Sequence, residues 1–137
     1  MVKYFNPNPN RKFFKSGNPK NWYLNDSSVR AVACALNKEW VDAYDMLAEA
    51  GRKIFDIPTS RPVLDEVLIN NGFEFVTLGK PRKGESRPVV SEFIKDFSDK
   101  TIVLNLADYF VTVINGEIYD VSDRCTKSSV YYYWVKK

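Results

Sequence analysis

The pattern of hydrophobic and polar positions predicts a buried helix between Asn25 and Asn37. Apolar side chains recur there at the i, i+3, i+4, i+7 spacing of one helical face, at Val29, Val32, Ala33 and Leu36. The apolar surface extends around most of the cylinder, and Arg30 is the only charge in the body of the helix. Asp26 is expected to cap the N-terminus. We expect this helix at the centre of the fold, with Ser27 in its first turn.

The periodicity downstream predicts helices first and strands after them. Two amphipathic helices are expected, at 39–55 and from about 62 to 70. The remaining elements are a strand at 73–78, a short helix at 89–97, and strands at 101–106, 109–114, 117–121 and 130–135. This order predicts an α+β fold in which N-terminal helices pack on a C-terminal antiparallel sheet.

Asn115-Gly116 favours a two-residue type I′ turn between two of these strands. The turn fixes the register, so that Val113 faces Ile118 and Val111 faces Asp120. Alternate residues of a strand share a face, which places five side chains together, namely Tyr109, Val111, Val113, Ile118 and Asp120. Tyr109 should lie diagonal to Asp120 at about 7–8 Å or less.

The composition indicates one intracellular domain spanning residues 1–137. The chain is 45% hydrophobic and 15% aromatic, which is enough for a substantial core. No apolar run reaches membrane-spanning length and the first residues do not resemble a signal peptide, so we expect a cytoplasmic protein without a membrane partner. Cys34 and Cys125 suit a reducing compartment. Without histidine, a zinc pattern or a glycine-rich phosphate loop, we expect no metal and no cofactor.

Positive charge concentrates in two segments, although the formal net charge is only +3. Residues 1–24 form a basic arm in which aromatic residues alternate with cations and no acid occurs, and Gly79–Pro88 is predicted to be an exposed basic loop. The candidate binding residues are Lys12, Lys15, Lys20, Trp22, Lys80, Arg82, Lys83 and Arg87. Cations among rings are typical of single-strand binders, but they equally describe rings that pack on a domain while the lysines stay solvated. We favour the second interpretation of the arm.

Several motifs, taken in order, resemble a known family. They are YFNPNP at 4–9, NDSSVRA at 25–31, ADYFVTVING at 107–116, YD at 119–120 and SVYYYW at 129–134. This set spans nearly the whole chain and is similar to a family of small papain-like cysteine peptidases encoded by bacteriophages and bacteria. The resemblance implies a papain-like fold. In that family the helix opens with Asp-Cys-x-x-Arg-Ala, the hairpin begins with His, and an Asp follows the turn.

Two departures from the family pattern concern the chemistry. Ser27 stands at the position of the nucleophile and Tyr109 at that of the base, whereas Asp120 matches. A serine hydroxyl needs a general base, and a phenol with a pKa near ~10 cannot serve at neutral pH. The resemblance therefore implies an inactive peptidase scaffold. We expect Ser27, Tyr109 and Asp120 to form a hydrogen-bonded structural cluster.

Three functions remain open from the sequence. The first is a protein-binding inhibitor of a host or defence-system protein, for example an anti-CRISPR-type inhibitor of an RNA-guided nuclease, for which the resemblance to phage proteins supplies the context. The second is nucleic-acid binding through the basic arm and loop. The third is residual serine-dependent hydrolysis at Ser27. A Ser-Lys pair is disfavoured because no lysine lies at a spacing that ties it to Ser27.

Overall fold

Helices cover both faces of one six-stranded sheet in the computed structural model, which describes residues 2–4, 26–107, 109–120 and 124–137. The helices are α1 (Ser27–Ala35), α2 (Trp40–Ile54), α3 (Arg61–Asn70) and α4 (Val90–Phe93), and 3₁₀ helices occupy Ile94–Phe97 and Arg124–Lys127. The strands are β1 (Val2–Tyr4), β2 (Phe73–Thr77), β3 (Thr101–Asn105), β4 (Phe110–Ile114), β5 (Glu117–Asp120) and β6 (Tyr132–Lys136). The predicted α+β class is confirmed.

The sheet has the strand order β1-β5-β4-β3-β6-β2. Strands β2 to β6 pair antiparallel throughout, and β1 joins the edge of the sheet parallel to β5. Val2–Tyr4, the start of the predicted arm, is thus a strand of the sheet, paired through its backbone with β5. The rest of the predicted arm, from 5 to 24, lies outside the described residues.

The predicted β4-β5 hairpin is confirmed. Asn115 and Gly116 have φ angles of 52° and 79°, and a type I′ turn requires positive φ at both central residues. Ile114 pairs with Glu117 and Val113 pairs with Ile118, as the turn predicted. Since a shift of one residue would turn every side chain to the other face, the local turn also determines which residues enter the core.

Two hydrophobic clusters lie on opposite faces of the sheet. The first packs α1, α2 and α3 against one face and includes Val103 and Trp134. The second packs α4 against the other face, and it contains Ile102, Leu104, Leu106, Tyr109, Val111, Val113, Ile118 and Cys125. Because β3 alternates between the clusters, three successive residues, 102–104, are fully buried.

Helix α1 is central, as its apolar pattern predicted. Val29, Ala31, Val32 and Ala33 are each at most 2% exposed, and Arg30 is also buried. The buried Thr112 hydroxyl on β4 donates a hydrogen bond of 2.8 Å to the carbonyl of Ala31. This bond fixes the helix lengthwise on the sheet.

Trp134 joins the sheet to α3. Its ring is fully buried, and its indole Nε1 donates to Oδ1 of Asp65 on α3 at 2.8 Å. Phe75, Phe110 and Tyr132 surround the ring at centroid distances of 5.5–6.0 Å. The side chain therefore combines a large apolar contact with a polar link between two layers.

Candidate functional site

Helix α1 begins against the start of β4. Ser27, the first residue of the helix, is partly buried, and its Oγ accepts a hydrogen bond of 3.2 Å from the backbone N–H of Phe110. The structure therefore brings Ser27 next to the chain segment that contains Tyr109. This is where the resemblance placed a nucleophile and a base.

Asp26 occupies the N-cap position, but its predicted capping hydrogen bond is absent. Its carboxylate instead accepts from Arg30 Nε at 3.0 Å and from Trp40 Nε1 at 3.0 Å. The prediction was right about where the helix starts and wrong about the capping bond. The i, i+4 spacing brings the Arg30 guanidinium, a charged and multiply donating group, within reach of the carboxylate.

Arg30 also reaches across to the sheet. Its Nη1 lies 2.9 Å from Oδ1 of Asp120, so one guanidinium binds two carboxylates. Arg30 and Asp26 are each 6% exposed and Asp120 is 2% exposed. The carboxylate of Asp120, which the resemblance matched to the Asp after the turn, is therefore engaged by a cation.

Tyr109 and Cys125 are both buried in the second cluster. Burial raises the pKa of the Cys125 thiol to about 11, and the negative charge of Asp120 acts in the same direction. Burial also raises the pKa of Cys34, to about 12. Both cysteines are free, and thiols with such pKa values are protonated at neutral pH and therefore unreactive.

The hydrogen-bonded cluster expected of Ser27, Tyr109 and Asp120 stays a prediction. The N–H of Phe110, the residue after Tyr109, donates to Ser27, and Arg30 binds Asp120. The sequence analysis assigned Cys125 no role beyond suiting a reducing compartment. Its place in the second cluster could not be predicted from a local pattern, because that cluster is assembled from segments far apart in the chain.

An open cleft of about 420 Å³ lies at the same end of the sheet as Ser27. It is lined by Thr77, Gly79, Lys80, Arg87, Asn105, Leu106, Ala107, Tyr131 and Tyr132. Asn105 pairs with both Phe110 and Tyr132, and Tyr132 pairs with Thr77, so the cleft lies at the strand ends next to the start of β4. Ser27 is not among the described residues that line it.

The predicted binding residues divide into three groups. Lys80 and Arg87 line the cleft. Arg82 and Lys83 are exposed in the same loop but do not line it. Lys12, Lys15, Lys20 and Trp22 lie outside the described residues. The sequence analysis missed Asn105, Tyr131 and Tyr132, although the aromatic run at 131–134 was recognised as a strand whose pairing brings it to this end.

The C-terminal end of α2 forms a second notable surface, which we call the α2 knob and which consists of Ile54, Phe55 and Ile57. Their exposed fractions are 38%, 96% and 64%. Phe55 has φ 58°, a left-handed conformation that usually belongs to glycine at this position. The N–H of Asp56 donates to the carbonyl of Gly51 at 2.9 Å and completes a Schellman-type end. A bulky ring is thus held in solvent at a strained position.

Comparison of the chain with protein-family models, curated proteins and solved structures finds no match. The papain-like resemblance therefore stays a prediction from the sequence motifs. Within the described ranges, no helix is both long enough and apolar enough to cross a bilayer, and no group of three or more metal-ligating side chains comes together.

Proposed function

We propose that this protein is a catalytically silent, papain-like scaffold that acts by binding another protein. Three observations support the proposed lack of catalytic activity. Ser27 Oγ accepts a backbone hydrogen bond, Tyr109 replaces the base, and Asp120 binds Arg30. A hydroxyl without a general base stays a weak nucleophile. Helix α1, beginning where β4 begins, is the arrangement that a papain-like ancestry would leave behind.

The proposal of a protein partner rests on Phe55. Its ring is 96% exposed in a backbone conformation that costs about 1–2 kcal/mol for a residue with a side chain. Such a cost without any packing gain within the described fold is typical of a residue kept for function. Exposed aromatic side chains are common anchors in protein interfaces, where they fill an apolar pocket of the partner.

The partner that we propose is a host or defence-system protein with an apolar pocket for the Phe55 ring. The resemblance to phage-encoded proteins supports this origin, and an RNA-guided nuclease is one concrete case. Arg52 is exposed beside the α2 knob, so a carboxylate at the rim of the pocket would complement it. The Phe55 ring is presented on a rigid turn, because the hydrogen bond from Asp56 to Gly51 holds the chain after α2.

Phe55→Gly is expected to abolish partner binding while raising stability slightly. Glycine adopts the left-handed conformation without strain, and the exposed ring contributes no burial, so we expect a gain of roughly 0.5–1 kcal/mol in unfolding free energy after the entropy cost of glycine. Urea unfolding measures the gain. Photo-crosslinking from a benzophenone residue at position 55 in host lysate, with mass spectrometry of the product, measures the contact.

Leu78 provides the matched control, since it is 38% exposed and lies in the loop after β2 rather than on α2. A benzophenone residue at 78 should not crosslink the same protein, and Leu78→Gly should not weaken its capture. If positions 55 and 78 crosslink the same proteins equally, or if position 55 crosslinks none, the α2 knob is not the interface.

Ser27 is expected not to react with a fluorophosphonate probe. The described geometry supplies no base to remove its proton, and its Oγ already accepts the N–H of Phe110. Labelling of the wild-type chain followed by intact mass spectrometry should give the unmodified mass, the same as for Ser27→Ala. Partner capture should be equal for the two proteins. A probe adduct on the wild type that Ser27→Ala removes would instead support the hydrolase.

A further inference from the structure

The described residues that line the cleft at the sheet end include two cations and no carboxylate. Lys80 and Arg87 are both among the lining residues, and none of those residues is an aspartate or glutamate. Neither cation forms an ion pair with a carboxylate of the described residues. Two cations beside a concave surface attract an anionic ligand, because their fields add there.

Arg87 is held in place before any ligand arrives. Its Nη1 donates to the carbonyl of Gly79 at 3.2 Å, and its guanidinium carbon lies 4.3 Å from the centre of the Tyr131 ring. The chain after Arg87 is anchored, since the N–H of Val130 donates to the carbonyl of Pro88 at 2.9 Å. The remaining guanidinium N–H groups can meet two oxygens of a phosphate. A guanidinium ordered in this way loses less entropy on binding.

The rest of the lining suits an organic group attached to the anion. Thr77, Asn105, Tyr131 and Tyr132 supply hydroxyl and amide groups, while Leu106 and Ala107 supply apolar surface. Burial raises the pKa of Tyr132, so its phenol stays protonated and can donate. The volume of about 420 Å³ falls in the range of roughly 300–1,000 Å³ of small-molecule sites.

We propose that this cleft binds a nucleoside phosphate, either a free mononucleotide or the terminal nucleotide of a single strand. Lys80 and Arg87 contact the phosphate, and the Arg87-Tyr131 pair provides the planar surface on which the base stacks. The polar groups of Asn105 and Thr77 face the sugar and the base edge. The site is separate from the α2 knob and does not depend on a protein partner.

The test is a titration of the ¹⁵N-labelled full chain followed by NMR, with AMP, UMP, adenosine, inorganic phosphate and a 5′-phosphorylated tetranucleotide as ligands. We expect AMP and UMP to shift the backbone amides of Lys80, Leu106 and Tyr131, and to bind more tightly than either adenosine or phosphate alone. A tetranucleotide that binds more tightly than AMP identifies the end of a strand as the ligand, and one that binds no more tightly identifies the mononucleotide.

Variants in the loop at 79–88 test which side chains contact AMP. Arg87→Gln should weaken AMP binding by roughly tenfold to a hundredfold, the value of a hydrogen bond to a charged group. Arg87→Lys keeps the charge but loses the planar group, so it should weaken AMP binding more than phosphate binding. Arg82→Gln removes a cation from the same loop outside the cleft and should change AMP binding less than threefold. The amide spectrum of each free variant checks that the fold is retained.

Three results would overturn the proposal. The first is an absence of shifts with AMP and UMP at millimolar concentration. The second is phosphate binding as tightly as AMP, which would leave no role for the base. The third is an effect of Arg82→Gln as large as that of Arg87→Gln, which would show general attraction to the loop rather than a site in the cleft.

Discussion

Replacing Arg30 with Met is expected to lower the unfolding free energy by about 3–5 kcal/mol, because two buried carboxylates then lose their shared cation. Asp26 and Asp120 both accept from its guanidinium, at 3.0 and 2.9 Å. Methionine keeps much of the apolar stem of arginine, so the loss reports the charge more than the packing. Urea unfolding followed by far-UV circular dichroism measures the change.

A charge-neutral variant separates the cost of unpaired charges from the value of the network. Adding Asp26→Asn and Asp120→Asn to Arg30→Met should recover much of the lost stability, since a buried ion pair contributes little compared with neutral groups. Arg82→Met, in the exposed loop, should stay within about 0.5 kcal/mol of the wild type. A loss below about 1 kcal/mol for Arg30→Met, against the 3–5 expected for breaking a buried pair, would show that the carboxylates are hydrated or otherwise compensated.

The second large effect is expected at Trp134, where replacement by Ala should cost about 3–5 kcal/mol. The ring is fully buried between Phe75, Phe110 and Tyr132, so the truncation leaves a cavity that the rigid sheet cannot close. Thermal unfolding and near-UV circular dichroism should show a lower midpoint and a weaker aromatic signal. If Trp134→Ala is too unstable to purify, the milder variant Trp134→Phe can be measured instead.

Trp134→Phe keeps a six-membered ring and removes the five-membered part of the indole, including the N–H that donates to Asp65. Because Asp65 is partly exposed and can recruit water, we expect a loss of about 1–2 kcal/mol. Ile57→Ala, at a position 64% exposed, is the control and should change stability by no more than about 0.5 kcal/mol. Equal losses for Trp134→Phe and Trp134→Ala would show that the link to α3 matters more than the cavity.

Local sequence patterns predicted the elements whose structure depends mainly on residues close together in the chain. The Asn115-Gly116 turn determined the hairpin and its register, because few residues adopt the required backbone angles. The apolar surface of α1 predicted its burial, because a helix with so few polar positions must lie inside the fold. The pairing of β1 with β5 escaped prediction, because parallel pairing between chain segments so far apart leaves no local pattern.

The candidate site was predicted only in outline. The resemblance brought Ser27 and the start of β4 together, and the structure places them in contact. The position of Asp26 alone predicted a helix cap. In the structure its carboxylate accepts hydrogen bonds from Arg30 and Trp40 instead of from the helix backbone. Similarly, the burial of Cys125 and the position of Asn105 in the cleft depend on contacts between distant segments, which local sequence patterns do not reveal.

Gly51 has a consequence for the direction in which the α2 knob points. A Cβ atom at this residue would lie 2.6 Å from the carbonyl oxygen of Asp56, so the chain after α2 packs directly against the glycine backbone. Any side chain at position 51 would push that carbonyl outward and rotate the Phe55 ring with it. The direction of the Phe55 ring therefore depends on the lack of a side chain at Gly51, one helical turn earlier on the side of α2 that faces the core.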